Sequence, residues 1–278
     1  MAPGPGPADK ATVFARNRAH GLIDLSVSAA SGRTRRDRVT EQGSFRVRLP
    51  DVSGPECEAV ILNTAGGIAG GDEFTIAVTA GPQTQLAVTT AAAEKVYRAI
   101  DAPSRVAVRL MAAPGAVLRW LPQETILFDE AKLNRSIEAD IAAGGSLVLV
   151  ETTIFGRTAM SETVRGGGLV DRWRIRLNGS LVFADTLRLD GDISALLARP
   201  AAGGGATAFA TLVIVPGDEA LAERARACLA ECNSETGVSA WNGIAVLRLC
   251  ASDAMRLRRD LVSVLNNLCG ALPRLWAG

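Results

Sequence analysis

Histidine and aromatic residues are scarce in this chain, and their scarcity limits the kinds of site it can contain. His20, in the N-terminal segment, is the only histidine among 278 residues. This argues against a Ser-His-Asp triad and excludes a metal centre built on several histidines of one chain. Aromatic residues make up 4% of the sequence, which argues against a sugar-binding cleft.

Long apolar runs and a regular cysteine framework are also missing. No segment approaches the roughly 20 apolar residues that a membrane span needs, and the opening residues 1–10 are rich in Pro and Gly, unlike a signal peptide. We expect residues 1–12 to form a flexible tail. The odd number of cysteines predicts that the thiols are free. Free thiols are typical of a reducing compartment, so we expect the protein in the cytoplasm. These cysteines are Cys57, Cys228, Cys232, Cys250 and Cys269.

Net charge is the third feature that the chain lacks. Thirty basic and 29 acidic side chains give a formal charge of +1, so no overall field favours nucleic acid or an anionic membrane. Six arginines do cluster near the N-terminus, either as a solvated face or as a surface for an acidic partner. They are Arg16, Arg18, Arg33, Arg35, Arg36 and Arg38.

Alternating apolar residues predict a mainly β body over residues 13–200. Residues 74–78, 106–110 and 133–141 show a period of two, with Gly or Pro near the breaks. No 12-residue helical pattern separates the strands, so helical crossovers are not expected, and a sandwich, a barrel or a β-helical stack remain open. Further strands are predicted at 59–62, 85–90, 116–120, 125–128, 146–154, 169–177 and 181–189.

The pattern changes in residues 201–278, which we expect to form a β-α-β-α segment packed on the same domain. Strands are predicted at 208–215 and 238–249, and helices are predicted to begin near Asp218 and near Asp253, the second ending at Gly270. Cys228 and Cys232 lie one helical turn apart and have the spacing to share a metal. Because they fall on the apolar stripe of the first helix, core packing is the favoured interpretation.

Two acids interrupt the apolar pattern of their strands. Asp185 shares a strand face with Leu181, Phe183, Leu187 and Leu189, and both faces around Glu151 are apolar. We therefore expect both carboxylates to point inward. An unpaired buried carboxylate costs several kcal/mol, so each needs an arginine, hydrogen bonds, a proton or a metal ion. The candidate arginines nearby in sequence are Arg157, Arg172 and Arg174; a structural salt bridge and a functional site both remain open.

A glycine-rich turn ends in a third acid. Four residues separate Gly66 from Gly71, as in a phosphate-binding loop. However, Asp72 and Glu73 follow where such a loop has Lys and then Ser or Thr, and a strand follows where it has a helix. Asp72 would repel a phosphate. Tight turns explain the glycines but do not require the aspartate.

Five blocks of the sequence, in order, resemble the UreD family of urease accessory proteins. The similarity runs from about residue 21 to residue 276; Val150 departs from the tryptophan that often precedes the acid in the family. The blocks are Asn63-Thr64-Ala65-Gly66-Gly67-x-x-Gly70-Gly71-Asp72, Thr89-Thr90 through Lys95-Val96-Tyr97-Arg98, Trp120 to Phe128, Gly156-Arg157 with Ser161-Glu162, and Leu272-Pro273-Arg274-Leu275-Trp276.

The resemblance implies a β-helical protein with a few helices, and a nickel-insertion factor for urease that is not itself an enzyme. It implies binding to UreF, through UreF to the GTPase UreG, and to the urease apoprotein. Ni²⁺ would pass transiently through an internal tunnel with no tightly bound cofactor, along residues matching Asp72, Glu151 and Asp185. Carboxylate oxygens hold nickel more weakly than thiolate or imidazole sets, which suits an ion in transit.

Two alternatives stand beside this interpretation. A β-solenoid hydrolase would use Glu151 and Asp185 as an acid/base pair, because two carboxylates suffice for glycoside cleavage. A scaffold without a metal role is the other.

Overall fold

Strands dominate the computed structural model, which describes residues 18–157, 160 and 162–276. The predicted tail, residues 1–12, lies outside this range. The strands are β1 His20–Ala30, β2 Arg33–Gly43, β3 Phe45–Arg48, β4 Cys57–Asn63, β5 Glu73–Ala80, β6 Gln85–Thr90, β7 Glu94–Val96, β8 Ser104–Ala112, β9 Val117–Leu121, β10 Thr125–Leu127, β11 Lys132–Ile141, β12 Ser146–Phe155, β13 Gly168–Leu177, β14 Ser180–Asp190, β15 Ala208–Val215, β16 Glu235–Trp241 and β17 Ile244–Ala251.

These strands form two sheets that face each other. The first sheet has the order β14-β13-β11-β8-β5-β1-β2, and the second has the order β16-β17-β15-β12-β9-β6-β4-β3, with β7 and β10 attached beside β12. From β4 to β13 the chain repeatedly alternates between the sheets, so successive turns add parallel strands without helical crossovers. The predicted mainly β, β-helical stack is confirmed.

Side-chain alternation places the main core between the sheets. Ile23 and Ile76 project from the first sheet, and Leu86, Leu118 and Leu149 project from the second into one buried cluster. The opposite face of the second sheet packs against helices in a second core. Strand β12 contributes to both, which explains why it is apolar on both faces.

Three helices follow β14 along the chain: α1 Ile193–Leu197, α2 Glu219–Leu229 and α3 Ala254–Cys269. Asp218 and Asp253 cap α2 and α3 by accepting from backbone amides at 2.8 Å, and α3 ends at Gly270, as predicted. A 3-10 turn, Arg274–Trp276, closes the described chain. No helix in the described part of the chain has the length and apolar character needed to cross a membrane.

The predicted single strand at 238–249 is wrong, because a hairpin divides it. Strands β16 and β17 pair antiparallel through Asn242 and Gly243, whose φ angles are 49° and 78°. An Asn-Gly pair with positive φ at both positions is a strong local signal for a two-residue hairpin. Strand β15 pairs with β12, so the C-terminal strands continue the second sheet.

Candidate functional site

A buried ion-pair network connects the two sheets at Glu151. The Arg135 guanidinium, on β11, contacts the Glu151 carboxylate on β12 and forms two hydrogen bonds of 3.0 and 2.5 Å with Asp171 on β13. Trp120 Nε1 donates to the other oxygen of Glu151 at 2.9 Å. The side chains of Arg135, Glu151 and Asp171 are 5%, 5% and 8% exposed. Glu151 is therefore inward and buried, as predicted.

This network contains one cation for two acids. Burial raises the pKa of Glu151 above its ordinary value, Arg135 opposes this rise, and the nearby Asp171 adds to it. Burial lowers the pKa of Arg135, but the attraction of Asp171 and Glu151 outweighs burial and leaves that pKa above its ordinary value. The guanidinium therefore stays charged, and the ionised network carries a net charge of −1.

A cavity of about 300 Å³ adjoins the network on one side. Its wall includes Glu151, Arg135 and Trp120, and its other end reaches the glycine-rich turn at Asn63 and Gly66. The turn is fixed by Ile68 N donating to Lys95 O at 2.7 Å and Tyr97 Oη donating to Gly66 O at 2.9 Å. At Gly67 a side chain would overlap the Tyr97 ring.

Glu94 is a second acid in the wall of this cavity. Asn63 Nδ2 donates to both oxygens of Glu94 at 3.2 Å. Burial raises the pKa of Glu94 to about 7, although the Asn63 hydrogen bond opposes the rise. Glu94 can therefore exchange a proton near neutral pH within the same space that Glu151 faces.

A smaller cavity of about 40 Å³ lies on the other side of the network and leads toward Asp185. Arg135, Glu151, Asp171 and Asp185 all line it. Asp185 also lines an outer groove of about 500 Å³. The three spaces thus follow one another between the sheets, with a carboxylate in the wall of each.

Asp185 differs from its prediction in its exposure. It lies on the strand face that was predicted, beside the small cavity, but its side chain is 39% exposed because β14 is the last strand of its sheet. Arg248 on β17 pairs with its carboxylate at 2.6 Å. The side chain is therefore at the rim of the inter-sheet space and not in its interior.

The predicted arginine partners of Glu151 and Asp185 are also wrong. Arg157 pairs with Glu162 at 2.7 Å, and Arg174 donates to the backbone oxygen of Asp185 at 3.1 Å, not to its carboxylate. Arg172 is exposed. The winding of the chain places Arg135 and Asp171, 36 residues apart, on neighbouring strands of the first sheet, and sets Arg135 opposite Glu151 on the second sheet, 16 residues away. The partner of Glu151 is therefore Arg135 and not one of the three predicted arginines.

Asp72 is buried in a different environment. Its side chain is 4% exposed, and its two oxygens accept from Ala19 N at 2.9 Å and from Ala69 N at 2.7 Å. It therefore closes the glycine-rich turn and fastens the chain entering β1. This contact explains why an aspartate follows the glycines, and none of the three inter-sheet spaces has Asp72 in its wall.

Cysteine ligation receives no geometric support. Cys228 and Cys232 both pack against the helix core, and burial raises the pKa of the Cys232 thiol to about 11. Among residues 18–157, 160 and 162–276, no three His, Cys, Asp or Glu side chains lie close enough together to hold a metal ion. In the described part of the chain, the carboxylates between the sheets are therefore not gathered in one metal-binding cage.

Sequence reasoning missed Arg135, Asp171, Glu94 and Arg248. Arg135 stands between Leu133 and Ile137 on an alternating apolar face, and Asp171 stands between Leu169 and Trp173 in the same way. The parity argument that identified Asp185 would also have identified these two residues. Glu94 and Arg248 carry no comparable local signal.

The sequence matches known proteins over nearly its whole length. The family model described as UreD urease accessory protein matches residues 19–277. A Urease accessory protein UreD of Rhodopseudomonas palustris strain BisB18 is 54% identical over 96% of this chain and 96% of its own length. The protein of that name from strain BisA53 is 52% identical over 96% and 93%, and Urease accessory protein UreD 3 of Bradyrhizobium sp. strain BTAi1 is 51% identical over 96% of both chains.

Proposed function

This chain belongs to the UreD family of urease accessory proteins, and from that premise we propose that it is a nickel-insertion chaperone. In this proposal it binds the urease apoprotein and UreF, and through UreF the GTPase UreG, in the cytoplasm. Ni²⁺ is the cargo and not a resident cofactor. The family names imply a maturation factor that is not itself catalytic.

The series of carboxylates between the sheets is the observation that supports conduction. An ion moving from the large cavity toward the outer groove meets Glu94, Glu151 and Asp185 in turn. Each supplies oxygen ligands, which bind Ni²⁺ less tightly than imidazole or thiolate groups. The polar groups in these walls can hold water, which lowers the cost of keeping a cation there. Successive weak contacts favour transfer over storage.

The three acids predicted from the sequence differ in role. Glu151 contacts the ion in the middle of the route, and Asp185 contacts it at the rim. Asp72 supports the route by fixing the glycine-rich turn, from which Gly66 enters the wall of the large cavity. A direct contact between Asp72 and the ion would require it to give up a backbone hydrogen bond.

The hydrolase alternative is less compatible with the geometry. Glu151 and Asp185 line a shared space of about 40 Å³, enough for only a few waters at roughly 10–15 Å³ each. A sugar ring does not fit between them. Both oxygens of Glu151 are already engaged by Arg135 and Trp120.

Urease maturation in cells tests the proposal. Cells carrying the urease genes with and without this gene are compared for urease activity and for nickel per urease. We expect both to fall without the gene, and Glu151→Gln and Asp185→Asn to lower nickel while the accessory complex still co-purifies. Glu138→Gln, on the exposed face of β11, is the matched control.

Two outcomes contradict parts of the proposal. Unchanged nickel in the gene deletion would remove the maturation role. Variants that unfold or lose their partners would favour a structural salt bridge, and variants with full activation would favour a scaffold.

A further inference from the structure

Arg135 occupies the position of a cation between two buried carboxylates. Its Nε and one terminal nitrogen donate to Asp171, and its other terminal nitrogen contacts Glu151 and donates to Thr125 Oγ1 at 3.3 Å. Arg135 and Asp171 are register partners on neighbouring strands of the first sheet, whereas Glu151 belongs to the second sheet. The guanidinium therefore spans the space between the sheets.

This bridge lies between two of the inter-sheet cavities. Arg135 and Glu151 line both the cavity of about 300 Å³ and the cavity of about 40 Å³. A cation moving from one space to the other must pass the guanidinium. The larger cavity, of about 300 Å³, lies directly beside the Arg135 side chain.

We propose that Arg135 is the gate of the ion path and that Asp171, with Glu151, holds the ion while the guanidinium is turned aside. This inference rests on the proposed function. Arg135 acts as a positioning residue: it does not bind the ion but controls whether the two carboxylates are available. Asp171 becomes an ion ligand alongside the acids already proposed.

Charge balance makes the guanidinium and the ion alternatives to each other. With Arg135 in place, two ionised carboxylates leave the site at −1, which attracts a cation. With a divalent ion in place of the guanidinium the site is neutral, and with both present it is +1, which buried surroundings disfavour. The returning guanidinium therefore expels the ion, so the paired carboxylates cannot retain it.

Removing the gate should convert the passage into a binding site. Arg135→Met keeps the unbranched stem of the arginine as far as Nε but has no charge, so both carboxylates lose their resident cation. We expect the full-length Arg135→Met protein to bind one Ni²⁺ about tenfold or more tightly than the wild type in equilibrium dialysis with nickel sulfate. Arg135→Met/Asp171→Asn should lose this gain, and Glu138→Gln should bind as the wild type does.

Thermal unfolding keeps the test decisive if Arg135→Met is unstable. The gate proposal requires nickel sulfate to raise the Tm of Arg135→Met more than that of the wild type, because Ni²⁺ takes the place of the missing cation. A purely structural salt bridge predicts a lower Tm that nickel does not restore. Neither tighter binding nor a nickel-dependent Tm in Arg135→Met would overturn the proposal.

The cellular readout separates this inference from the proposed function. We expect Arg135→Met to lower nickel in urease, because the ion is retained, while the accessory complex forms. If deletion of the gene leaves urease nickel unchanged but Arg135→Met gains a nickel site, the maturation role fails and the cation exchange stands. If the gene is required but Arg135→Met gains no site, only the gate fails.

Discussion

Replacement of Asp72 provides a direct test of whether this acid is structural. Its oxygens accept two backbone hydrogen bonds, from Ala19 and Ala69, in a site that is 4% exposed. Hydrogen bonds to a charged group contribute about 1.5–3 kcal/mol each, and an unpaired buried amide costs a similar amount. Because the two bonds share one acceptor group, we expect Asp72→Ala to lower the free energy of unfolding by about 3 kcal/mol in total.

Asp72→Asn separates charge from hydrogen bonding. An asparagine offers one oxygen acceptor, and its NH₂ group faces the second amide, so one bond is lost and about 1–2 kcal/mol of stability with it. Urea titrations monitored by circular dichroism give both values. Glu73→Ala is the matched control, because the neighbouring Glu73 is 53% exposed in its surface pair with Arg105 and such pairs contribute about 1 kcal/mol or less.

One result would refute the structural assignment of Asp72. If Asp72→Ala were as stable as Glu73→Ala, its hydrogen bonds would not hold the turn. If it also lowered nickel in urease with the complex intact, a direct contact with the ion would become the better explanation.

Two further predictions concern the large cavity and the C-terminus. Burial raises the pKa of Glu94 from 4.5 to about 7, so the folded state binds this proton more tightly than the unfolded chain does. The resulting stability is present below pH 4.5 and is lost as the pH rises through 7. In urea titrations at pH 8 we expect Glu94→Gln to be about 1–2 kcal/mol more stable than the wild type, after allowance for solvent screening, with no such gain at pH 5. An equal difference in stability at both pH values would contradict the raised pKa of Glu94. Trp276 is 2% exposed and donates from Nε1 to Leu121 O at 2.9 Å. Trp276→Ala should therefore lower the free energy of unfolding by about 3–5 kcal/mol in thermal or urea unfolding. The control Leu275→Ala, at an exposed position, should lower it by about 1 kcal/mol or less. Similar losses for the two variants would mean that the C-terminus does not pack as described.

Local patterns predicted much of the fold, because they depend on consecutive residues. Alternation located most of the strands from residue 59 onward, and Asp218 and Asp253 marked the starts of α2 and α3. Strands β1 and β2 were not predicted. β2 is the edge strand of the first sheet, and its mostly polar, exposed residues show no apolar alternation. β1 does alternate, with Ile23, Leu25 and Val27 buried, so the same pattern would have identified it.

Burial of Glu151 followed from the sequence alone, since apolar residues surround it on both strand faces. Its partner did not, because Arg135 is 16 residues away and Asp171 is 36 residues from Arg135. Their meeting depends on how much chain each turn of the stack contains, which no short window records. Arg157, which is close to Glu151 in sequence, was therefore wrongly predicted as a partner.

Asp185 shows the same division between local and tertiary information. The residues on either side of Asp185 determined which face of the strand its side chain occupies. Its exposure and its pairing with Arg248, 63 residues away, were decided by the position of β14 as the last strand of the first sheet. The sequence by itself determined which residues point between the sheets, because alternation is a property of neighbouring peptides. Only the tertiary structure decided which of them meet and which space they line, because those contacts arise from the winding of the whole chain.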